Sequence, residues 1–252
     1  MRKLILTLTL AFIFSGAFSQ GMKEEHQQVV SNFISYIKNR QWERLSEQIS
    51  YPLKRVSPVP AIKNKEEFLK RYQEVFDGQL IKTITNSNPA VDWSTVGWRG
   101  IMLLRGDVWL DYDGKLIAVN YQPAAETKKR NKLIQTEKSR LHVSLRNFES
   151  TVYTLETAKH SIRIDDLGKG EYRYASWNLP SRQADKSSIM INKGEFIADG
   201  TGGNHKFKFR NQEYTYEIVF TVLGEVGATP AMLNVYKGEK LILATEASIT
   251  ER

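Results

Sequence analysis

The chain has 252 residues and no cysteine, which excludes disulfides, thiolate catalysis and cysteine-ligated zinc. Its 36 lysines and arginines against 28 acids leave a formal charge of +8, mildly basic for this size. That balance tolerates anionic surfaces without requiring them, and no basic motif points to nucleic acid.

The first residues follow the order of a secretory signal. Arg2 and Lys3 are basic, Leu4 to Phe14 are apolar except Thr7 and Thr9, and Ala17-Phe18-Ser19 puts small residues before Gln20. The apolar run is shorter than the roughly 20 residues that cross a bilayer. The pattern predicts a cleavable signal over residues 1–19, a periplasmic or secreted address, and no membrane span after cleavage.

Apolar residues then recur at helical spacing. Val29, Val30, Phe33, Ile34 and Ile37 mark one helix face, and Trp42, Leu45 and Ile49 a second, shorter one. Tyr51-Pro52-Leu53 ends it, because the ring of Pro52 blocks continuation. Pro58 and Pro60 mark a loop. Asn64 and Glu67 have the spacing of a capping box, and Phe68, Leu69, Tyr72, Val75 and Phe76 form the stripe of a helix over 66–76.

From Trp93 the period falls to two. Val96 to Leu104, Asp107 to Tyr112 and Lys115 to Tyr121 read as a three-stranded antiparallel meander turning at Arg105-Gly106 and Asp113-Gly114. Pairing places Met102 opposite Trp109, Trp109 opposite Ala118, and Asp107 opposite Asn120. One face then carries Ile101, Leu103, Val108, Leu110, Ile117 and Val119. The other carries Trp98, Met102, Asp107, Trp109, Asp111, Leu116 and Asn120. Both hold large apolar groups, so both are expected to be covered.

Residues 123–145 are polar and basic, a linker or connecting helix with Lys128, Lys129, Arg130, Lys132, Lys138 and Arg140. Beyond it lie nine short strand candidates. They are Val152–Thr157, Ser161–Ile164, Glu171–Trp177, Ser188–Ile191, Glu195–Ala198, His205–Phe209, Tyr214–Leu223, Met232–Tyr236 and Lys240–Ala244. Such spacing predicts a small antiparallel barrel or sandwich. The segments are therefore a signal (1–19), an α+β domain (20–122), the linker (123–145) and a β domain (146–252).

The order helix, helix, Pro-bounded segment, helix and meander resembles the NTF2-like (SnoaL-like) fold over roughly residues 22 to 121. The resemblance is carried by Trp42, Tyr51-Pro52-Leu53, the helix Glu66 to Phe76, and Gly106-Asp107-Val108-Trp109 leading to Ile117-Ala118-Val119-Asn120. It implies an α+β cone whose curved sheet and helices enclose a pocket. Such domains include isomerases and dehydratases as well as non-catalytic binding and dimerisation modules.

The mixed face supplies the pocket candidates Trp98, Met102, Asp107, Trp109, Asp111 and Asn120, aromatic walls meeting a few polar groups. In the β domain, the rows that hold Tyr172, Tyr174, Tyr214 and Tyr216 read foremost as barrel core, with an interaction face whose polar tips point outward as the alternative. The loop Asp199 to Asn204 reads foremost as a tight connection, with binding of calcium or an anion as the alternative. The histidines lack metal-ligand spacing, and no Ser or Thr sits in a nucleophile elbow. No catalytic residue, metal or cofactor is therefore assigned. The reading is an exported, non-catalytic binding protein of the cell envelope, taking a small apolar ligand, a glycan or a peptide, with a surface for a homodimer. The alternatives are a cofactor-free isomerase or dehydratase using Asp107 or Asp111 as general base, or an inhibitor of a cell-wall hydrolase.

Overall fold

Four helices, a small sheet, one long helix and a barrel follow in chain order in a computed structural model of the protein. It describes residues 22–200, 202–225 and 227–251, and the predicted signal at 1–19 lies outside them. No helix among the described residues is long and apolar enough to cross a membrane.

Helix α1 (Glu24–Lys38) opens with two acids and ends on a lysine, matching its dipole, and buries Val30, Phe33 and Ile37. Helix α2 (Trp42–Glu47) buries Leu45. Helix α3 (Lys65–Val75) starts where the capping residues place it. Asn64 Oδ1 accepts the Glu67 N–H at 2.9 Å, and Glu67 Oε2 accepts the Lys63 N–H at 2.9 Å. Helix α4 (Gly78–Thr85), absent from the sequence reading, is capped by Asp77, whose Oδ1 accepts the Leu80 N–H at 2.8 Å. Leu80 and Ile84 turn inward from it.

The sheet has four strands rather than three: β1 (Trp93–Thr95), β2 (Ile101–Leu103), β3 (Val108–Leu110) and β4 (Leu116–Val119), in that order. The expected first strand is broken at Gly97–Arg99 by a single 3-10 turn. Gly100 follows with φ 107°, where a Cβ would overlap the Leu110 carbonyl. Met102 pairs with Trp109, and Trp109 with Ala118, as the spacing predicts. A bulge after Trp109 then pairs Leu110 with Leu116. The predicted faces are corrected there: Leu116 is fully buried, while Ile117 is turned partly to solvent. Ile101, Leu103, Val108, Leu110, Leu116 and Val119 pack against Val30, Phe33 and Phe68 of the helices.

Residues 124–140 form helix α5 (Ala124–Arg140). Its Ile134 joins Leu141, Leu145 and Phe148 over Ala175 and Trp177 on the outside of the barrel. Strands β5 (Ser150–Glu156), β6 (His160–Gly168), β7 (Glu171–Asn178), β8 (Ile189–Asp199), β9 (Asn204–Asn211), β10 (Tyr214–Phe220), β11 (Ala231–Lys237) and β12 (Lys240–Glu251) close an eight-stranded antiparallel barrel. Each strand pairs with the next in sequence, and among the described residues β12 returns to β5 through Ser248, Ile249 and Glu251.

Nine predicted segments become eight strands because Asn192-Lys193-Gly194 is a bulge and not a turn. Tyr174 pairs with Ile191 but Tyr172 with Gly194, so β8 carries an extra residue, and Lys193 takes φ 61°. Gly194 is required there, since a Cβ would strike the Phe209 ring. Leu155, Ile162, Ile164, Phe209, Ile218 and Leu233 fill the barrel interior, each fully buried large residue contributing about 1.5–3 kcal/mol.

Candidate functional site

The six residues predicted to line a pocket lie on the outer face of the four-stranded sheet and at its rims. Trp98, in the 3-10 turn, is 84% exposed. Met102 and Trp109 are half-buried neighbours, and Trp109 Nε1 donates to the Gly106 carbonyl at 3.0 Å. The Asn120 amide reaches the same carbonyl at 2.8 Å, while the Asn120 N–H donates to the Asp107 main-chain oxygen. Asp111 Oδ1 accepts the N–H groups of Asp113 at 3.0 Å and Lys115 at 2.8 Å. These contacts stabilise the two hairpin turns.

The four predicted tyrosines share the barrel interior. Tyr174 is buried and 5.3 Å from the Tyr216 ring, and burial pushes its phenol up to about 12. Tyr214 and Tyr216 pack partly buried against the same core. Tyr172 sits at the opposite end of the barrel, opposite Gly194 and Asp166. There it meets residues that the sequence reading did not combine with it.

At that end an aromatic set converges from four strands. Tyr153 of β5 stacks on Phe220 of β10 at 4.0 Å, and His205 of β9 stacks on Phe220 at 4.9 Å. The His205 ring is held from both sides. Nδ1 lies 2.8 Å from the Gly203 carbonyl, which can only accept, so the Nδ1 proton points there. Nε2 is then free to accept the Tyr153 hydroxyl at 3.1 Å. Phe196 of β8, 48% exposed, packs 5.3 Å from His205 and 5.4 Å from Phe207.

Phe196 is exposed because of local topology. Pairing between β7 and β8 ends at Gly194, so Glu195 to Asp199 have β9 on one side and no strand on the other. The barrel wall is thus notched beside Tyr172 and Phe196. A signal for Phe196 was present in the alternation of Glu195 to Ala198, hidden by reading Lys193-Gly194 as a turn.

Two concavities adjoin this mouth. One of about 310 Å³ is lined by Ser57, Ser150, Thr151, Val152, Tyr153, Asp166 and Tyr172. A second, of about 570 Å³, lies along Pro52 to Ala61 and shares Ser57 with the first. The proline loop is fixed by Arg130, whose Nε donates to the Ser57 carbonyl at 2.9 Å, and by Arg71, which donates to the Pro60 carbonyl at 3.0 Å. The two concavities therefore meet at Ser57, between the proline loop and the barrel mouth. On the far side of the mouth, Asn204 closes the glycine-rich loop by accepting the Val222 and Leu223 N–H groups at 2.8 and 2.9 Å. A third concavity, about 370 Å³, lies there beside Asp199, Lys206 and Val219.

The buried charges lie behind these concavities: Arg55 lines the second, and Arg163 donates to the Thr151 hydroxyl that lines the first. Glu126 of α5 grips Arg55, whose Nε donates at 2.7 Å and whose guanidinium also donates to the Val119 and Tyr121 carbonyls. Further along, Asp165 lies 2.7 Å from Arg163 Nε and 2.6 Å from Arg173 Nη2, with Glu137 accepting from Arg163 at 2.7 Å. Burial raises the Asp165 carboxyl above its ordinary value, against the pull of both guanidiniums. Among the described residues, no three His, Asp or Glu side chains converge as metal ligands. Comparison with protein families, curated proteins and solved structures gives no match to this chain.

Proposed function

We propose that the protein is an exported, non-catalytic binding protein of the cell envelope, and that its ligand enters the aromatic mouth of the barrel. The observation that carries this reading is Phe196, a large apolar ring left half in solvent beside Tyr172 and above a buried aromatic floor. Notched, aromatic-walled concavities with a few polar groups suit a ligand that offers one apolar face and one hydrogen-bonding edge. Tyr172, Ser150 and Asp166 supply the polar edge. We read the N-terminal half as an NTF2-like domain, on the order of its helices and meander, that brings Ser57 of the proline loop to the edge of the mouth.

The catalytic alternative has less support. A general base needs a free, basic oxygen facing a substrate. Asp107 and Asp111 stand at the hairpin ends of the outer sheet face and line none of the three concavities, and the histidine in the mouth is engaged at both nitrogens.

The test is saturable binding of the neutral dye N-phenylnaphthylamine, followed by its fluorescence. Phe196→Ala is expected to weaken binding strongly, while Trp98→Ala on the outer sheet leaves it unchanged. Equal binding in both variants, or none in the wild type, overturns the mouth as the ligand site.

A further inference from the structure

Resting on the mouth as the binding site, we infer that its preferred ligand carries a substituted ammonium group. Three rings form the receptacle. The centroids of Tyr172 and Phe196 stand 6.5 Å apart with planes tilted by 42°. Phe207, buried beneath them, lies 4.9 Å from Tyr172 at 72° and 5.4 Å from Phe196 at 64°. Phe207 packs edge-to-face on both and backs them from within, while Tyr172 and Phe196 keep the ring surface on which one cation can rest. A cation within about 6 Å of a ring centroid is attracted by the ring's negative face, and more so where water is thin.

The charge beside the rings has the matching sign. Asp166 pairs directly across β6 and β7 with Tyr172, and such cross-strand neighbours point to the same side of a sheet. Asp166 also lines the adjoining cavity with Tyr172. One of its oxygens accepts the Gly168 N–H at 2.7 Å, leaving the other to the cavity. Glu149 lies against Gly168, and Glu171 opens β7 beside it. None of these three carboxylates has an ion-pair partner among the described residues, although the chain is basic overall. Of the cations near them in sequence, Arg163 and Arg173 are paired with Asp165 on the other face of the wall, and Lys169, in the β6–β7 turn, sits exposed. Burial and then Asp166 raise the Tyr172 phenol, as expected of a carboxylate paired across from it.

The experiment compares choline with its neutral carbon isostere, in which a tert-butyl group replaces trimethylammonium, by calorimetry on the full chain. Choline is expected to bind roughly tenfold more tightly, the advantage of a partly desolvated cation over rings and a carboxylate. Asp166→Asn keeps the oxygen that accepts from Gly168 and is expected to erase most of that preference. Phe196→Leu keeps apolar volume, removes a ring and should erase part of it. Circular dichroism checks that both variants fold. Equal affinity for the two probes, or a preference untouched by Asp166→Asn and Phe196→Leu, overturns the inference while the mouth reading stands on the dye. Binding of neither probe also overturns it, and loss of dye binding as well removes the mouth reading with it.

Discussion

The two ends of helix α5 are both anchored by buried charge, but in different ways. Near its start, one carboxylate meets one guanidinium: Glu126 and Arg55 are 4% and 1% exposed at the side chain. Near its end the contact is a network. Asp165, 0% exposed, takes Arg163 and Arg173, while Glu137 of the helix takes Arg163 and the Thr151 hydroxyl. Arg173 also donates to the Leu145 and Asn147 carbonyls, tying the chain just beyond α5 to the barrel. A pair fixes one point of the helix. A network fixes the helix, the following segment and three strands together.

The sharpest way to test that difference is to remove the network's centre. Asp165→Ala leaves Arg163 with Glu137 and Arg173 with no carboxylate, only the Leu145 and Asn147 carbonyls, and should destabilise by about 3–5 kcal/mol, read from the urea midpoint. Glu126→Gln keeps an acceptor for Arg55 and removes only charge, so about 1–3 kcal/mol is expected by the same measurement. If Glu126→Gln costs as much as Asp165→Ala, the network is no more than another pair. Replacing the whole pair, as Arg55→Met with Glu126→Leu, should cost less than Glu126→Gln alone, because no charge is left behind.

A smaller effect is expected at alkaline pH. Burial holds the phenols of Tyr51, beside α2, and Tyr174, in the barrel, up at about 12. In the unfolded chain a tyrosine titrates near 10. The folded pKa values are the higher ones, so this contribution is complete below about pH 10 and is lost as pH rises toward 12. Phenolate absorbance should therefore show a late fraction that appears together with unfolding. Tyr174→Phe should diminish it without touching the Tyr51 part. Least of all is expected from the exposed Lys70–Glu66 pair on α3. Lys70→Ala should leave the urea midpoint unchanged within error, since side-chain freedom and screening offset such contacts.

Local chemistry made much of this fold legible. Asn64 and Glu67 announced α3, and Met102 opposite Trp109 followed from the turn at Gly106. What the sequence obscured were single-residue insertions. The bulge after Trp109 exchanges Leu116 for Ile117 in the core, and the bulge at Lys193-Gly194 looks like a turn because it uses the residues of one. Each shifts side-chain alternation by one place, and a period of two carries no record of such a slip. Asp77-Gly78 likewise opens α4 as a cap. Arg163 and Asp165 alternate with Ile162 and Ile164, the pattern of a strand with one wet face, yet that face is covered by α5. Cover by a distant helix cannot be read from a strand's own residues. The mouth shared this fate: Tyr172 was named, but Phe196 and Asp166 join it only through pairing across neighbouring strands.

The barrel's seam gives its folding a fixed order. Seven of its eight strand pairs are hairpins between sequence neighbours, each able to form from a short stretch of chain. The eighth joins Ser248 to Glu156 across 92 residues and has three paired positions among the described residues. The long loop must close before those few bonds form, so hairpins come early and circumference comes last. The same seam is the weakest line around the wall. In hydrogen exchange, the amides of Ile249 and Leu155 should open before those of β6 and β7, splitting the cylinder into a curled sheet while the layer under α5 stays shut.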